Sequence, residues 1–150
     1  GACGHTYGAN GIWQLNQIGK PYGKSPHGGD YNGPPWPEAM RLPGSAQLGL
    51  AKRLLMRLPW WRLQPLPAKA AVWADGGTDS YLRPYAAAVD GGPALIYLPE
   101  GRPVHVELPS SGTAHWWNPR TGRIRAAQSK DTRFHPPDAQ DWVLILGRLD

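Results

Sequence analysis

The sequence predicts a mainly β protein in which a C-terminal antiparallel β-sandwich follows one strand, loop and helix unit. Three observations favour this fold class. The 150 residues include 19 Gly and 17 Pro, which favour turns, and 8 Trp beside a single Phe. Only one stretch repeats its apolar residues at helical spacing. After residue 72, short apolar runs of strand length are separated by turn signals.

The first unit is expected over residues 1–67. Residues 1–8 form a short apolar run that ends at a glycine turn, and this run predicts a strand. Residues 9–43 are rich in Gly, Pro, Asn and aromatic side chains and have little periodicity, so they predict a long loop. Loops of this length in compact domains are usually functional.

A helix is predicted over residues 45–58. Ser45 offers an N-cap oxygen, and Leu50, Leu54 and Leu58 recur at every fourth position before a proline ends the pattern. A single strand with one helix leaves both edges of the strand unpaired and buries little core. This unit is therefore expected to be one βα piece of a larger parallel structure.

The second unit is expected over residues 72–150, after a boundary near residues 65–71. The stretches DGGP and NPRTG favour β-hairpins, and Val104, Val106 and Leu108 alternate with polar residues as in a half-buried strand. The predicted strands are residues 83–89, 94–98, 104–108, 114–117, 123–127, 133–135 and 142–149. Short strands at this spacing are typical of an antiparallel sandwich or a partly open barrel.

Charge and composition argue against several partners. The net charge is +5, but the 16 basic residues are scattered rather than concentrated on one face, so no nucleic-acid partner is expected. No apolar run of about 18 residues predicts a membrane span, and the first residues lack the pattern of a signal peptide. The 5 His are not at metal-ligand spacing and Cys3 has no partner ligand nearby, so no cofactor is expected.

Two groups of motifs carry a family resemblance. Over residues 1–65 they are GACGHTYGANGIWQ, WPEA, PGSAQ and LPWWRLQP, and over residues 85–146 they are YAAAVDGGPALIYLPEGRPVHVEL, AHWWNPRTGRI and DWVLIL. The first group resembles the end of the TIM barrel of apiosidase-like glycoside hydrolases. The second resembles the β domain that follows this barrel, catalogued as a "putative collagen-binding domain of a collagenase". The resemblance implies that the chain is the C-terminal part of a carbohydrate-active hydrolase.

The resemblance also implies a carbohydrate substrate and, because the family acts on external glycans in bacteria, a secreted or periplasmic location. The active site of such barrels lies where the strands end. If residues 4–8 close the last strand, His5 and Tyr7 stand near that face and the following loop forms part of its rim. The other interpretation of His5 is that its imidazole satisfies buried backbone groups below the site.

The predicted substrate-binding set adds Asn10, Trp13 and Gln14 to His5 and Tyr7. Aromatic rings pack against the C–H faces of sugars, and amides offer paired donors and acceptors to hydroxyl groups. This mixture of side chains is suited to carbohydrate recognition. The other interpretation of Trp13 is that it packs the loop against the barrel.

No catalytic residue is predicted in this chain. Glycoside hydrolysis usually needs two carboxylates placed about the scissile bond. Asp30 and Glu38 are the only acids of the first unit, and neither follows a predicted strand. Asp30 lies in a glycine-rich loop, and Glu38 is suited to a short helical turn. The catalytic pair is expected on earlier strands of the barrel, and the isolated chain is expected to be inactive.

A second candidate surface contains Trp116, Trp117 and Arg120. Neighbours on a strand point to opposite faces, so one Trp is expected in the core and the other outward or toward the barrel. An exposed Trp beside Arg120 is suited to a polymer ligand, whereas a covered Trp would belong to the interface between the units. Two functions stay open: a contribution to a sugar site with a structural accessory domain, or a non-catalytic β module that binds glycan, collagen or another matrix polymer.

Overall fold

The computed structural model describes residues 7–77, 81–108 and 112–149. The chain divides into two compact units, residues 2–49 and residues 50–150. From here on these two ranges are called the first unit and the second unit. Most of the strand predicted over residues 1–8 lies outside the described residues, and its last two residues have irregular backbone.

The first unit contains a loop and a short helix. Helix α1, Trp36–Ala39, follows Pro35 and has a proline in its first turn, where the missing N–H of proline costs no hydrogen bond. It therefore interrupts the loop predicted over residues 9–43. Before α1, the loop makes two isolated antiparallel bridges, Gln17 with Lys20 and Lys24 with Asp30.

Helix α2, Pro43–Leu55, corresponds to the helix predicted over residues 45–58. It begins two residues earlier because a proline fits the first helical turn. It ends earlier because the N–H groups of Arg57 and Leu58 bond to carbonyl oxygens three residues back, at 3.0 and 3.2 Å, which tightens the chain into turns. Among the described residues, no helix is long and apolar enough to cross a membrane.

The described residues of the second unit form two antiparallel sheets. Two 3-10 turns, Trp60–Arg62 and Ala68–Ala70, precede the second strand. The strands are β1 Gln64–Pro65, β2 Ala71–Trp73, β3 Tyr85–Ala88, β4 Ala94–Leu98, β5 Val104–Val106, β6 Ala114–Trp117, β7 Ile124–Ala126, β8 Ser129–Lys130, β9 Arg133–Phe134 and β10 Trp142–Leu146. The larger sheet has the order β1-β3-β4-β10-β6-β7, and the smaller has the order β2-β5-β9-β8.

The main core lies between the two sheets. Its buried members from the larger sheet are Ala94, Ile96, Leu98, Trp116, Trp142, Leu144 and Leu146, and those from the smaller sheet are Ala71, Trp73, Val104, Val106 and Phe134. The rings of Trp116 and Phe134 meet edge to face across the core, with centroids 6.5 Å apart. The predicted mainly β fold with antiparallel sheets is therefore confirmed.

The other face of the larger sheet is partly covered by α2. Leu54 of this helix packs with Trp117 of β6 and with Val143 and Ile145 of β10 in a second apolar cluster. Strand β10 is buried along its whole length because both of its faces contact apolar neighbours. This explains why its sequence is a continuous apolar run rather than an alternating one.

The two predicted hairpin turns are present. Between β3 and β4, Gly91 has a φ of +64° and the Gly92 N–H bonds to the Val89 carbonyl at 2.9 Å. Between β6 and β7, the Asn118 side chain accepts the N–H groups of the two turn residues after Pro119, at 2.9 and 3.1 Å. The short strands β1, β2 and β8 were not predicted, since two or three residues are too few to show an alternating pattern.

Candidate functional site

The loop of the first unit is organised around Asn16, whose side chain is buried and only 2% exposed. Its Nδ2 donates to the carbonyl oxygens of Tyr31 and Gly33 at 2.8 and 3.1 Å. Its Oδ1 accepts the backbone N–H of Tyr22 at 2.9 Å, and its own carbonyl accepts the N–H of Trp36 at 2.9 Å. These bonds join separate parts of the loop to the start of α1 and give the loop a defined shape.

Two glycines let the ends of this loop approach each other closely. A Cβ on Gly11 would lie 2.1 Å from the Pro34 carbonyl oxygen, and Gly11 has a φ of +96°. A Cβ on Gly33 would lie 2.9 Å from the Asn10 Cβ. At Gly11 only glycine permits such a close contact together with a positive φ. The two ends of the loop are therefore held against each other by backbone packing.

Three aromatic rings form a cluster on the loop. The ring centroids of Trp13 and Tyr31 are 5.2 Å apart at 81°, and those of Tyr22 and Tyr31 are 5.8 Å apart at 71°. Both are edge-to-face contacts, which aromatic rings prefer over face-to-face stacking. Trp13 is 61% exposed and Tyr22 is also exposed. The cluster therefore holds its rings in a fixed arrangement and still presents aromatic surface to solvent.

The two predicted amides, Asn10 and Gln14, are close to Trp13 in the sequence and are hydrogen-bonded to each other. Gln14 Nε2 donates to Asn10 Oδ1 at 3.2 Å, and Gln14 Oε1 accepts the N–H of Gly11 at 2.7 Å. Each amide keeps further donor or acceptor positions, because a side-chain amide can make up to four hydrogen bonds. The pair can therefore contact hydroxyl groups while the loop backbone fixes its position.

The remaining predicted residues of the first unit lie elsewhere or outside the described residues. Tyr7 packs against Gly44 in the first turn of α2, where an added Cβ would lie 2.7 Å from the Tyr7 Oη. His5 lies outside the described residues. The structure thus joins Asn10 with Gln14 and places Trp13 in an aromatic cluster, whereas Tyr7 belongs to a different packing contact.

The two acids of the first unit have local structural roles. Asp30 Oδ1 accepts the N–H of Asn32 at 2.8 Å, which closes a turn of the Asx type. Glu38 is exposed in the first turn of α1, where its charge complements the positive end of the helix dipole. In the part of the chain that the structure describes, no three His, Cys, Asp or Glu residues cluster as metal ligands.

The second candidate surface is corrected by the structure. Trp116 is 3% exposed in the core between the sheets, and Trp117 is 5% exposed on the other face, packed against Leu54. The prediction that the two indoles point to opposite faces is confirmed. Of the two alternatives for the second indole, exposed or covered, the structure shows the covered one, because Leu54 packs on Trp117 and neither ring reaches the surface.

Arg120 is also engaged within the domain. Its guanidinium pairs with Asp141, lies 3.7 Å from the Asp138 carboxylate and has its Cζ 5.4 Å from the centroid of the Trp142 ring. Trp142 Nε1 donates to Asp138 Oδ1 at 2.8 Å. This bond, together with the N–H of Gln140, lowers the pKa of Asp138 below its usual range. Arg120 therefore ties the turn after β6 to the start of β10, rather than serving as a free cation for a polymer.

The sequence analysis missed Asn16, Tyr22 and Tyr31. The hydrogen-bond partners of Asn16 lie 6, 15 and 17 residues away, so no local pattern reveals that this residue is buried. The two tyrosines stand in the same glycine-rich loop as Trp13. The high aromatic content of this loop was the one sequence feature that could have indicated the cluster.

Comparison with known families gives two matches. Residues 1–62 match the family model described as "Apiosidase-like, catalytic domain", and residues 67–147 match the model described as "Putative collagen-binding domain of a collagenase". No curated protein matches the chain. The two matched ranges follow the order expected from the motifs, so the predicted resemblance is confirmed.

Two solved structures are similar to the chain over 96% of its length, each at 26% identity. One is described as a glycoside hydrolase and has a TM-score of 0.75. The other is a glycoside hydrolase family 5 protein from Bacteroides vulgatus ATCC 8482, with a TM-score of 0.73. The chain spans about a third of these structures, 33% and 32% of their lengths.

Proposed function

The chain belongs to the family described as "Putative collagen-binding domain of a collagenase", and we propose that it serves a glycoside hydrolase rather than a collagenase. In this proposal, the loop of the first unit forms part of the rim of the sugar site. The β-sandwich acts as a structural accessory domain. The likeness to glycoside hydrolases over 96% of the chain supports a carbohydrate as the substrate class.

The observation that carries the proposal is the combination of exposed aromatic surface and amides on a loop of defined shape. Trp13 and Tyr22 present their rings to solvent, and Asn10 and Gln14 lie within hydrogen-bond distance of each other. Contiguous aromatic surface of this kind commonly marks a ligand-binding or interaction site. A sugar ring offers both the C–H face and the hydroxyl groups that these side chains accommodate.

The catalytic carboxylates are assigned to parts of the hydrolase outside this chain. Asp30 closes a turn and Glu38 lies in the first turn of α1, and neither is paired with a second carboxylate at a described strand end. We propose that His5 and Tyr7 belong to the barrel face as well, and this part of the proposal is supported by the family resemblance alone. We infer a secreted or periplasmic location from the same resemblance.

The proposal is tested in the hydrolase that contains this chain. Trp13→Ala should lower kcat/KM for its oligosaccharide substrate about tenfold, since one ring contact with the sugar is lost. Ile18→Ala is the matched control, because Ile18 lies on the same loop and is 84% exposed. Equal losses in the two variants, or no loss in Trp13→Ala, would contradict a role of this loop in the sugar site.

The assignment of catalysis has its own test. The 150-residue chain should release no reducing sugar from a panel of plant oligosaccharides. Turnover that disappears in Asp30→Asn or Glu38→Gln would show that one of these acids is catalytic. Turnover unaffected by either change would indicate another acid of the chain.

A further inference from the structure

Residues 50–62 are assigned differently by sequence and by structure. Their sequence lies in the range that matches the catalytic family, residues 1–62, and the match to the β domain begins only at residue 67. In the structure, however, they are part of the second compact unit, residues 50–150. This segment therefore has a sequence of the catalytic family but packs as part of the sandwich unit.

One side of this segment is buried against the sandwich. Leu54 is 5% exposed and packs with Trp117 and Ile145 of the larger sheet. Leu58, which follows the end of α2, is 4% exposed. Removing leucine side chains from water in this way is favourable, so these residues hold the segment on the sandwich.

The same segment exposes three large apolar side chains. Met56 is 66% exposed, Trp60 is 39% exposed and Trp61 is 68% exposed. The rings of the two tryptophans meet edge to face, with centroids 6.0 Å apart at 86°. Single exposed apolar residues are common, whereas a group of them marks an interaction surface. These three residues are called the tryptophan patch below.

The residues next to the patch favour a protein surface over a sugar as its partner. Residues 48–63 contain no Asp, Glu, Asn, Gln, Ser or Thr, so no side chain of this segment accepts a hydrogen bond from a sugar hydroxyl group. The charged neighbours of the patch in the sequence are Arg57 and Arg62. Trp, Met and Arg are enriched at protein–protein interfaces. The patch therefore fits an apolar protein surface that carries acidic side chains at its border.

We propose that the tryptophan patch docks onto the part of the catalytic domain that lies outside this chain. The proposal rests on the proposed function, in which the chain serves a glycoside hydrolase. The patch lies within the range that matches the catalytic family, and the chain spans only 33% of one similar glycoside hydrolase, so most of that protein lies outside the match. In this arrangement, residues 50–62 contact the sandwich through their leucines and the rest of the catalytic domain through the patch.

Two other partners are less suited to the patch. A stable interface between separate molecules buries roughly 800 Å² per partner, which is far more than three side chains offer to a second copy of the chain. Docking within one polypeptide needs less surface, because the linked partner is present at a high effective concentration. A membrane surface would require the apolar face of α2, but Leu54 on that face is already packed against the larger sheet.

The test compares thiol labelling in the 150-residue chain and in the hydrolase that contains it. Met56→Cys places a thiol in the patch and keeps both tryptophans. Labelling by a maleimide is followed by peptide mass spectrometry, which measures residue 56 alone. The thiol should react about tenfold more slowly in the hydrolase, because docking blocks access of the reagent. Adding Trp61→Ala should restore most of the rate measured in the chain, since an aromatic anchor of the contact is lost.

Gln128→Cys is the control for general effects of the larger protein. Gln128 is exposed between β7 and β8, in the range that matches the β domain, so its thiol should react at the same rate in both proteins. Each variant is first checked for folding by its thermal transition. If Trp61→Ala prevents the hydrolase from folding, Trp61→Leu replaces it and should restore part of the labelling rate.

Three results would overturn the proposal. The first is that the Met56→Cys thiol reacts equally fast in the chain and in the hydrolase. The second is that it is protected in the hydrolase but the change at Trp61 leaves this protection intact. The third is that it stays reactive in the hydrolase until vesicles of phosphatidylcholine and phosphatidylserine are added, which would indicate a membrane surface. Labelling does not depend on turnover, so a failure here is distinguishable from a failure of the kcat/KM test at Trp13.

Discussion

The two units of this chain are stabilised in different ways. The second unit has a continuous apolar core between two sheets, in which Ile96, Leu98, Val104 and Leu144 are fully buried. The loop of the first unit is instead held by the hydrogen bonds of Asn16 and by close backbone contacts at glycines. The sandwich thus has many interchangeable contributions to its stability, whereas the loop depends on a few specific groups.

This difference bears on where function is found. A core made of many apolar contacts tolerates change at the surface, so the sandwich can carry a binding surface without losing its fold. The loop exposes the rings of Trp13 and Tyr22 and buries the polar side chain of Asn16, the reverse of the usual distribution in a folded domain. Such an arrangement is typical of a segment whose exposed groups meet a ligand or another part of the protein.

The largest expected loss of stability follows from a substitution in the core of the sandwich. Ile96→Ala should lower the free energy of unfolding by about 2–5 kcal/mol, because it removes apolar contacts and leaves a cavity. Ile124→Ala on the same sheet, where the side chain is 40% exposed, should cost well under half as much. Urea unfolding followed by tryptophan fluorescence measures both. Similar losses would mean that the two sheets do not share a tightly packed core.

The next largest loss of stability is expected at the contact between Gly11 and the Pro34 carbonyl group. Gly11→Ala should destabilise the loop by roughly 1–3 kcal/mol, because the new Cβ meets the Pro34 carbonyl oxygen at a positive φ. Gly19→Ala also has a positive φ, +68°, but no atom within 4 Å of the added Cβ. Amide hydrogen exchange of the loop should therefore rise more in Gly11→Ala. Equal increases in hydrogen exchange would show that the positive φ, and not the contact with Pro34, causes the destabilisation.

Asn16→Ala should cost about 1–3 kcal/mol, since it leaves buried backbone groups without partners. The amide of Tyr22 should lose its protection from hydrogen exchange, because that N–H bonds to Asn16 Oδ1. The amide of Trp36, which bonds to the backbone carbonyl of residue 16, should keep more protection. Asn32→Ala is the control, since Asn32 is exposed and should leave both amides unchanged. Unchanged protection of Tyr22 in Asn16→Ala would contradict the central role of this side chain.

Sequence reasoning succeeded where a structure follows a local period. The strand around Val104 was predicted from its alternating apolar residues, and Val104 and Val106 are both buried. It failed where burial depends on distant partners, as for Asn16, whose side chain bonds to the carbonyl oxygen of Gly33, 17 residues away.

The smallest expected effect concerns pH and the ion pairs at the start of β10. The bonds from Trp142 and Gln140 hold the pKa of Asp138 below its ordinary value of 3.8, so the carboxylate contributes stability above that value and loses it as pH falls through the folded-state pKa. Asp138→Asn keeps an oxygen that accepts the Trp142 Nε1–H, but the new amide side chain does not titrate. The variant should therefore show a shallower fall of Tm below about pH 4.

Asp138→Asn should lower Tm slightly at pH 7, since the charge is lost, and Asp138→Ala, which removes the acceptor as well, should lower it further. Thermal unfolding between pH 2.5 and 7 measures both variants. The low pKa of Asp75, which results from its hydrogen bond with Arg102, acts over the same acidic range and is retained in all three proteins. A residual acid dependence is therefore expected in Asp138→Asn. A slope identical to wild type would show that the Asp138 carboxylate adds nothing to the pH dependence of the sandwich.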